Sequence, residues 1–257
     1  MSYWDNAEKN KAIAAAHTAE MSSKYSKEIR ECINKTWVYD SSLYSPASSP
    51  IKGFKGDIVV EATDSVSAIF SINSLSTGKT AVLNFASYTE PGGKFIEGST
   101  AQEECLCHSS FLYNVLKEKT EFYAENVKNK NRALYTNRAL YSPGVIFIKN
   151  EKTTIVDVIT CAAPNYKAAS KYCKVTKQEN REALESRIGF VLDIAQMERV
   201  DNLILGAFGC GVFGQNAKEV SMIFKEKLQS GKYYYKKVVF AIPGGLNLKL
   251  FQETFMV

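Results

Sequence analysis

The stretch Leu83-Asn84-Phe85-Ala86-Ser87-Tyr88-Thr89-Glu90-Pro91-Gly92-Gly93-Lys94-Phe95-Ile96-Glu97-Gly98-Ser99-Thr100-Ala101-Gln102-Glu103-Glu104-Cys105-Leu106-Cys107 leaves an apolar run, turns at Pro-Gly-Gly and enters Gln-Glu-Glu seven residues after Lys94. The run that feeds it, Thr80 to Phe85, is short and apolar, as a buried strand is. The residues that follow, Gln102 to Lys119, carry a helical pattern. An amide (Asn84), a glycine loop and two carboxylates thus meet at the carboxyl end of a strand, where open α/β sheets bind ligands. Glutamates in the first turn of a helix also complement its dipole. Adjacent glutamates alone therefore favour solvated surface, and only the whole string points to chemistry.

Outward from this string, further short apolar runs predict strands at Ile58–Ala62, Gly144–Ile148, Thr154–Thr160, Asn202–Gly206 and Lys237–Ile242. Helical patterns lie between them. Glu179 to Val200 is the clearest, with Leu184, Ile188, Val191, Leu192 and Ala195 on one face. Asn216 to Leu228 is another, with Asn216 as N-cap. The first ~35 residues also read as helical, and Asp40 to Pro50, rich in Ser and Pro, reads as an exposed loop. Alternating strands and helices predict an α/β layered fold with a mostly parallel sheet. A hexapeptide echo, Asn131–Thr136 then Asn137–Ser142, reads as a local duplication in a loop, since two copies do not make a solenoid.

Composition narrows the class. The 257 residues are 45% hydrophobic and 23% charged, which excludes a disordered or fibrous chain. No apolar run reaches the length of a membrane span, and the start lacks the pattern of a secretory signal. A net charge of +5 suits an anionic ligand without the dense basic face of a nucleic-acid binder. Six cysteines contain no CxxC pair, and only two histidines are present. No metal site is expected, and reduced cysteines suggest the cytoplasm.

Two motifs mislead. Ser76-Thr77-Gly78-Lys79-Thr80 looks like the tail of a P-loop, but Asn73 stands where the first glycine belongs, and a strand follows the motif instead of preceding it. It reads as a turn opening a strand. Gly209-Cys210-Gly211-Val212-Phe213-Gly214 satisfies G-x-G-x-x-G between a predicted strand and helix. The next strand, however, ends in Pro243-Gly244-Gly245 with no acidic residue for a ribose hydroxyl. The loop remains a good diphosphate cradle, because glycines allow close approach and amides at a helix N-terminus favour an anion.

Gly92-Gly93-Lys94, seven residues and Gln102-Glu103-Glu104 resemble the catalytic signature of the microbial-type poly(ADP-ribose) glycohydrolases, which is Gly-Gly-Gly, six to eight residues, then Gln-Glu-Glu. The segments Asn202–Gly214, Tyr141–Val145 and Val158–Asn165 are also similar to that family, so the likeness spans roughly residues 57–245. The resemblance implies a macrodomain-like three-layer α/β/α fold with a mostly parallel mixed sheet and an N-terminal helical extension. It implies one catalytic domain over 1–257, with the extension covering about 1–50. The implied activity is hydrolysis of ribose–ribose O-glycosidic bonds of poly(ADP-ribose), without a cofactor. Glu104 would be the general acid/base. Glu103 and Asn84 would hold the reacting ribose, with Gly92, Gly93, Lys94 and Gln102 around it. Gly209, Cys210, Gly211 and Val212 would cradle the diphosphate, and Phe213 would pack on the ribose. The implied partners are ADP-ribose, its polymer and ADP-ribosylated macromolecules, bound by a monomer with no membrane. A binding-only macrodomain and a mono-ADP-ribosyl hydrolase are the competing readings. Lys94, which replaces the third glycine, either strains the loop or extends a cation towards a phosphate.

Overall fold

A computed structural model describes residues 3–41 and 56–255, with side chains from residue 8 onward. Residues 42–50 of the Ser/Pro-rich loop lie outside the described residues. The chain runs through α1 (Tyr3–Lys24), α2 (Ser26–Lys35), β1 (Trp37–Asp40), β2 (Asp57–Glu61), α3 (Ser65–Leu75) and β3 (Thr80–Phe85). A 3₁₀ turn at Phe95–Glu97 leads to α4 (Gln102–His108), α5 (Leu112–Leu116) and α6 (Thr120–Lys128). Then come β4 (Arg138–Lys149), β5 (Lys152–Cys161), α7 (Tyr166–Cys173), α8 (Lys177–Met197), β6 (Asn202–Leu205), α9 (Ala217–Leu228), β7 (Lys237–Ala241) and α10 (Gly245–Phe255).

The strands form one mixed sheet of order β1-β4-β5-β3-β6-β7-β2. β5, β3, β6, β7 and β2 pair in parallel, while β4 is antiparallel to both β5 and β1. Alternation along each strand divides the core in two. Ala81, Leu83, Leu203, Leu205, Val238 and Phe240 face α8, α9 and α10. Val82, Ile204, Val239 and Val158 face α1 to α6. This is the expected three-layer arrangement with N-terminal helices. Those helices pack into the domain, with Ala14, Met21 and Cys32 sealed inside the second core. Among the described residues no helix is long and apolar enough to cross a membrane.

Local chemistry sets several boundaries. Asn216 caps α9 as expected, accepting from the Glu219 amide at 3.1 Å. A reciprocal Thr176–Glu179 capping box starts α8 two residues earlier than its apolar face suggests. The helix expected over Gln102–Lys119 is instead broken into α4 and α5. Ser109 and Ser110 leave the helix to pair with β4, through Ile148 N to Ser109 O at 2.7 Å and a bridge between Ser110 and Phe147. The Ser110 hydroxyl stabilises the break by bonding Leu106 O and the Leu112 amide. The hexapeptide echo is likewise not all loop: its second copy opens β4, and Leu140 pairs with Thr160 of β5. β1 is too short for a sequence pattern and exists through its pairing with β4.

Candidate active site

β3 lies at the centre of the sheet between β5 and β6, and all its residues but Phe85 are buried. The chain leaves β3 towards β5 on one side and returns at β6 on the other. The carboxyl ends of β3 and β6 therefore flank a topological switch point, where such sheets bind ligands. The two loops that spring from it carry the residues singled out by sequence. Phe85 and Phe208, with centroids 5.6 Å apart, join the loops at their base.

The first loop brings both glutamates to Gly93. Glu103 and Glu104 are 3% and 6% exposed. Gly93 has φ +59°, and a Cβ there would lie 2.7 Å from Glu104 Oε1 and 2.9 Å from Glu103 Oε2. Sequence neighbours on a helix point apart, yet here the glycine turn folds back between the two carboxylates. Their bonding differs. Glu103 accepts from the Ser87 amide at 2.7 Å through Oε2 and from Asn84 Nδ2 at 3.1 Å through Oε1. Glu104 Oε1 accepts from the Lys94 amide at 2.9 Å. Glu104 Oε2 has no partner among the described residues and is not one of the sealed polar atoms.

Burial pushes Glu103 up to about 8, with the neighbouring Glu104 charge adding to the rise and bonds from Ser87, Asn84 and Gly92 opposing it. The folded protein thus holds this proton more tightly than the unfolded chain, where glutamate titrates near 4.5. The stability linked to Glu103 is full below that ordinary value and is lost as pH rises towards 8. Glu103→Gln, which stays neutral, is expected to gain on the wild type between pH 5 and pH 8. The relative gain should be about 2 kcal/mol or more, roughly 4–8 °C in Tm. Melting curves at the two pH values measure it, and a gap that does not widen with pH would refute a buried, proton-holding Glu103.

Two expected ligand groups are turned towards the protein instead. Asn84 is fully buried, and its Nδ2 bonds Glu103 and Thr160. It supports Glu103, and its Oδ1 is sealed without a partner. Gln102 spends its amide on β3, accepting from Phe85 N at 2.8 Å and donating to Leu83 O at 2.9 Å, with a further bond to Ser65. It fixes the glutamate-bearing helix to the strand.

Lys94 has φ −103°, an ordinary conformation, so the third position of the turn demands no glycine and carries no strain. Its contribution to the site is its amide, on Glu104. Its ammonium pairs with Glu97 at 3.2 Å on the surface. Lys94→Gly keeps the amide and, if the site takes the ADP-ribose that the sequence resemblance implies, is expected to leave affinity and turnover within about threefold, as for an exposed ion pair. Titration at low and high salt checks this; a tenfold loss confined to low salt would place the ammonium on the ligand.

The second loop is pinned at its ends and open in the middle. Gly209 has φ +74°, and a Cβ there would strike Ala163 at 2.7 Å and Gln215 at 2.9 Å. Gln215 N returns to Gly209 O at 3.0 Å, and Lys167 N holds Phe213 O at 3.0 Å. The Gln215 side chain bonds Pro164 O and pairs reciprocally with Asn180. Between these anchors Gly211 faces open space and Val212 is 78% exposed. The amides of Gly211, Val212 and Phe213 have no acceptor among the described residues, so donors are available to an anion. Cys210 is largely covered, and Phe213 is half-buried with its ring 6.0 Å from Tyr135. Sequence reasoning singled out neither Ser87, Gln215 nor Tyr135. Their only signal is proximity to the loops, which acquires meaning once the chain is folded. A cleft of about 520 Å³ beside α8 and α9 is lined by none of the expected site residues.

Residues 7–150, more than half of the chain, match the family described as microbial-type PARG, catalytic domain. The chain belongs to that family. The structure is similar to that of poly(ADP-ribose) glycohydrolase from Thermomonospora curvata bound to the inhibitor ADP-HPD, with 28% identity and a TM-score of 0.84 over 96% of this chain and 100% of that one. It is also similar to poly(ADP-ribose) glycohydrolase (PARG) from Deinococcus radiodurans in complex with ADP-ribose, with 27% identity and a TM-score of 0.79 over 88% of this chain and 96% of that one. No curated protein matches the chain. The matched residues include the first loop, with Gly92, Gly93 and both glutamates.

Proposed function

We propose that this protein hydrolyses ribose–ribose O-glycosidic bonds of poly(ADP-ribose), releasing ADP-ribose, with Glu104 as general acid/base. Membership of the PARG family and similarity to structures holding ADP-ribose and ADP-HPD support the substrate class. The observation that carries the assignment to Glu104 is the difference between the carboxylates. Glu103 has both oxygens bonded, whereas Glu104 keeps Oε2 free.

In this mechanism the Glu104 carboxyl protonates the glycosidic oxygen as the bond to the anomeric carbon breaks and an oxocarbenium-like ribose forms. The Glu104 carboxylate then takes a proton from water, whose oxygen adds to that carbon, and the acid is restored. Burial raises the Glu103 carboxyl despite the helix N-terminus, which by itself stabilises the charged form. Glu103, braced by Asn84 and the Ser87 amide, positions the ribose. The 209–213 loop amides hold the diphosphate, and Phe213 limits the motion of the sugar.

A strained Lys94 would favour a binding-only macrodomain, and its unstrained backbone gives that reading no support. Six free cysteines suit a reducing compartment, and we place the enzyme in the cytoplasm, acting as a monomer. Incubation with labelled poly(ADP-ribose) tests the activity: shortening of the polymer with release of ADP-ribose is expected. An intact polymer alongside measurable ADP-ribose binding would make the protein a reader. Release from a mono-ADP-ribosylated target alone would make it a mono-ADP-ribosyl hydrolase.

A further inference from the structure

Arg187 of α8 lies behind the site and is 1% exposed. No carboxylate among the described residues pairs with it. Its guanidinium instead donates to Asn137 Oδ1 at 2.7 Å, to the Ala162 carbonyl and to the Leu134 carbonyl at 3.4 Å. The Cys161 thiol is a further partner, and a buried cation held by neutral oxygens and a thiol loses its hydration without gaining a carboxylate. Such an arrangement persists where the surrounding geometry must be over-determined.

That geometry is the segment before β4. Asn131, Arg132, Ala133 and Tyr135 all lie in the left-handed region, at φ 41°, 51°, 64° and 61°. Residues other than glycine stay there only when neighbouring structure holds them. Arg187 bonds the residue just before Tyr135 and another two residues after it. The backbone bond from Asn165 N to Ala133 O, 2.9 Å, is a second tether. What the segment delivers is the Tyr135 ring, stacked on Tyr88 at 4.1 Å with 12° between planes and meeting Phe213 edge-on at 6.0 Å. Tyr88 follows Ser87, whose amide holds Glu103. The third acceptor, Ala162, precedes the Ala163 against which Gly209 packs. One guanidinium therefore connects the catalytic loop, the aromatic wall and the base of the glycine loop.

We propose that Arg187 is a positioning residue: it locks Tyr135 between the two loops so that the ring, together with Phe213, orients the sugar beside Glu103 and Glu104. The proposal rests on the reading that this site binds ADP-ribose. A planar guanidinium meets three acceptors in different directions, which an ammonium or an apolar side chain does not reproduce.

The test is a double-mutant cycle on ADP-ribose affinity, measured by calorimetry, with Arg187→Met, Tyr135→Ala and the pair. Each single variant is expected to bind about tenfold more weakly, and the double variant no more weakly than the worse single, because both remove the same positioned ring. Arg187→Lys should remain close to Arg187→Met. For polymer cleavage, KM should rise more than kcat falls. A roughly hundredfold, additive loss in the double variant would overturn the proposal, since Arg187 would then act independently of Tyr135. If Arg187→Met does not fold, the cycle is run with Asn137→Ala, which deletes one acceptor; a threefold or larger loss absent from the Tyr135→Ala background is expected. Wild-type protein that binds no ADP-ribose would remove the functional reading and this inference together. Wild-type binding left unchanged by these variants would overturn this inference alone.

Discussion

Glu104→Gln is expected to lower kcat for polymer cleavage by about 10²–10⁴-fold while ADP-ribose affinity changes by less than about threefold. The substitution is nearly isosteric. Its carbonyl oxygen can still accept from the Lys94 amide, the bond now made by Glu104 Oε1 at 2.9 Å. At the Oε2 position, however, it places an NH₂ that can neither give up a proton to the leaving oxygen nor take one from water. In the proposed site binding rests on the second loop and on the bracing of Glu103, and the substitution touches neither. Single-turnover cleavage of labelled polymer and calorimetry with ADP-ribose separate the two effects. Turnover within about threefold of wild type would take the acid role from Glu104 and leave Glu103 as the candidate.

Gly93→Ala should be nearly as damaging for a different reason. The residue sits at φ +59°, where a Cβ costs of order 1–2 kcal/mol. That Cβ would also lie 2.7 Å and 2.9 Å from oxygens of the two glutamates, so at least one carboxylate must move. Displacement of a catalytic group by about 1 Å can cost 10²-fold in rate, and kcat is expected to fall by about that factor or more. Gly144→Ala separates strain from displacement. Gly144 has a similar φ of +73°, but a Cβ there meets nothing within 4 Å. This control should lose about 1 kcal/mol of stability and keep its activity. Equal activity of Gly93→Ala and wild type would mean that the turn does not fix the carboxylates.

Much of the fold was legible because its sheet is buried on both faces. Runs such as Thr80–Phe85 and Lys237–Ile242 are apolar at nearly every position, and flanking turn residues mark their ends. Helices α8 and α9 were legible through their apolar faces, and α9 through its Asn216 cap. Elements formed by long-range pairing were not. β1 depends on β4, and the break between α4 and α5 depends on β4 reaching Ser110, a residue that local sequence leaves in a helix.

The site divides in the same way. Sequence by itself determined which residue types stand at the ends of β3 and β6, because glycine turns and an adjacent glutamate pair are local patterns with fixed spacing. It therefore indicated the family and the two loops. Only tertiary structure decided how those residues are used. The positive φ of Gly93 folds the turn back between two side chains that helix periodicity would separate. Packing seals Asn84 and commits Gln102 to the strand, while Oε2 of Glu104 stays open. The link from Arg187 to Tyr135 spans 52 positions of sequence through backbone carbonyls and one amide oxygen. Such acceptors carry no residue-specific signature, so the contact exists only after α8 has packed against the sheet.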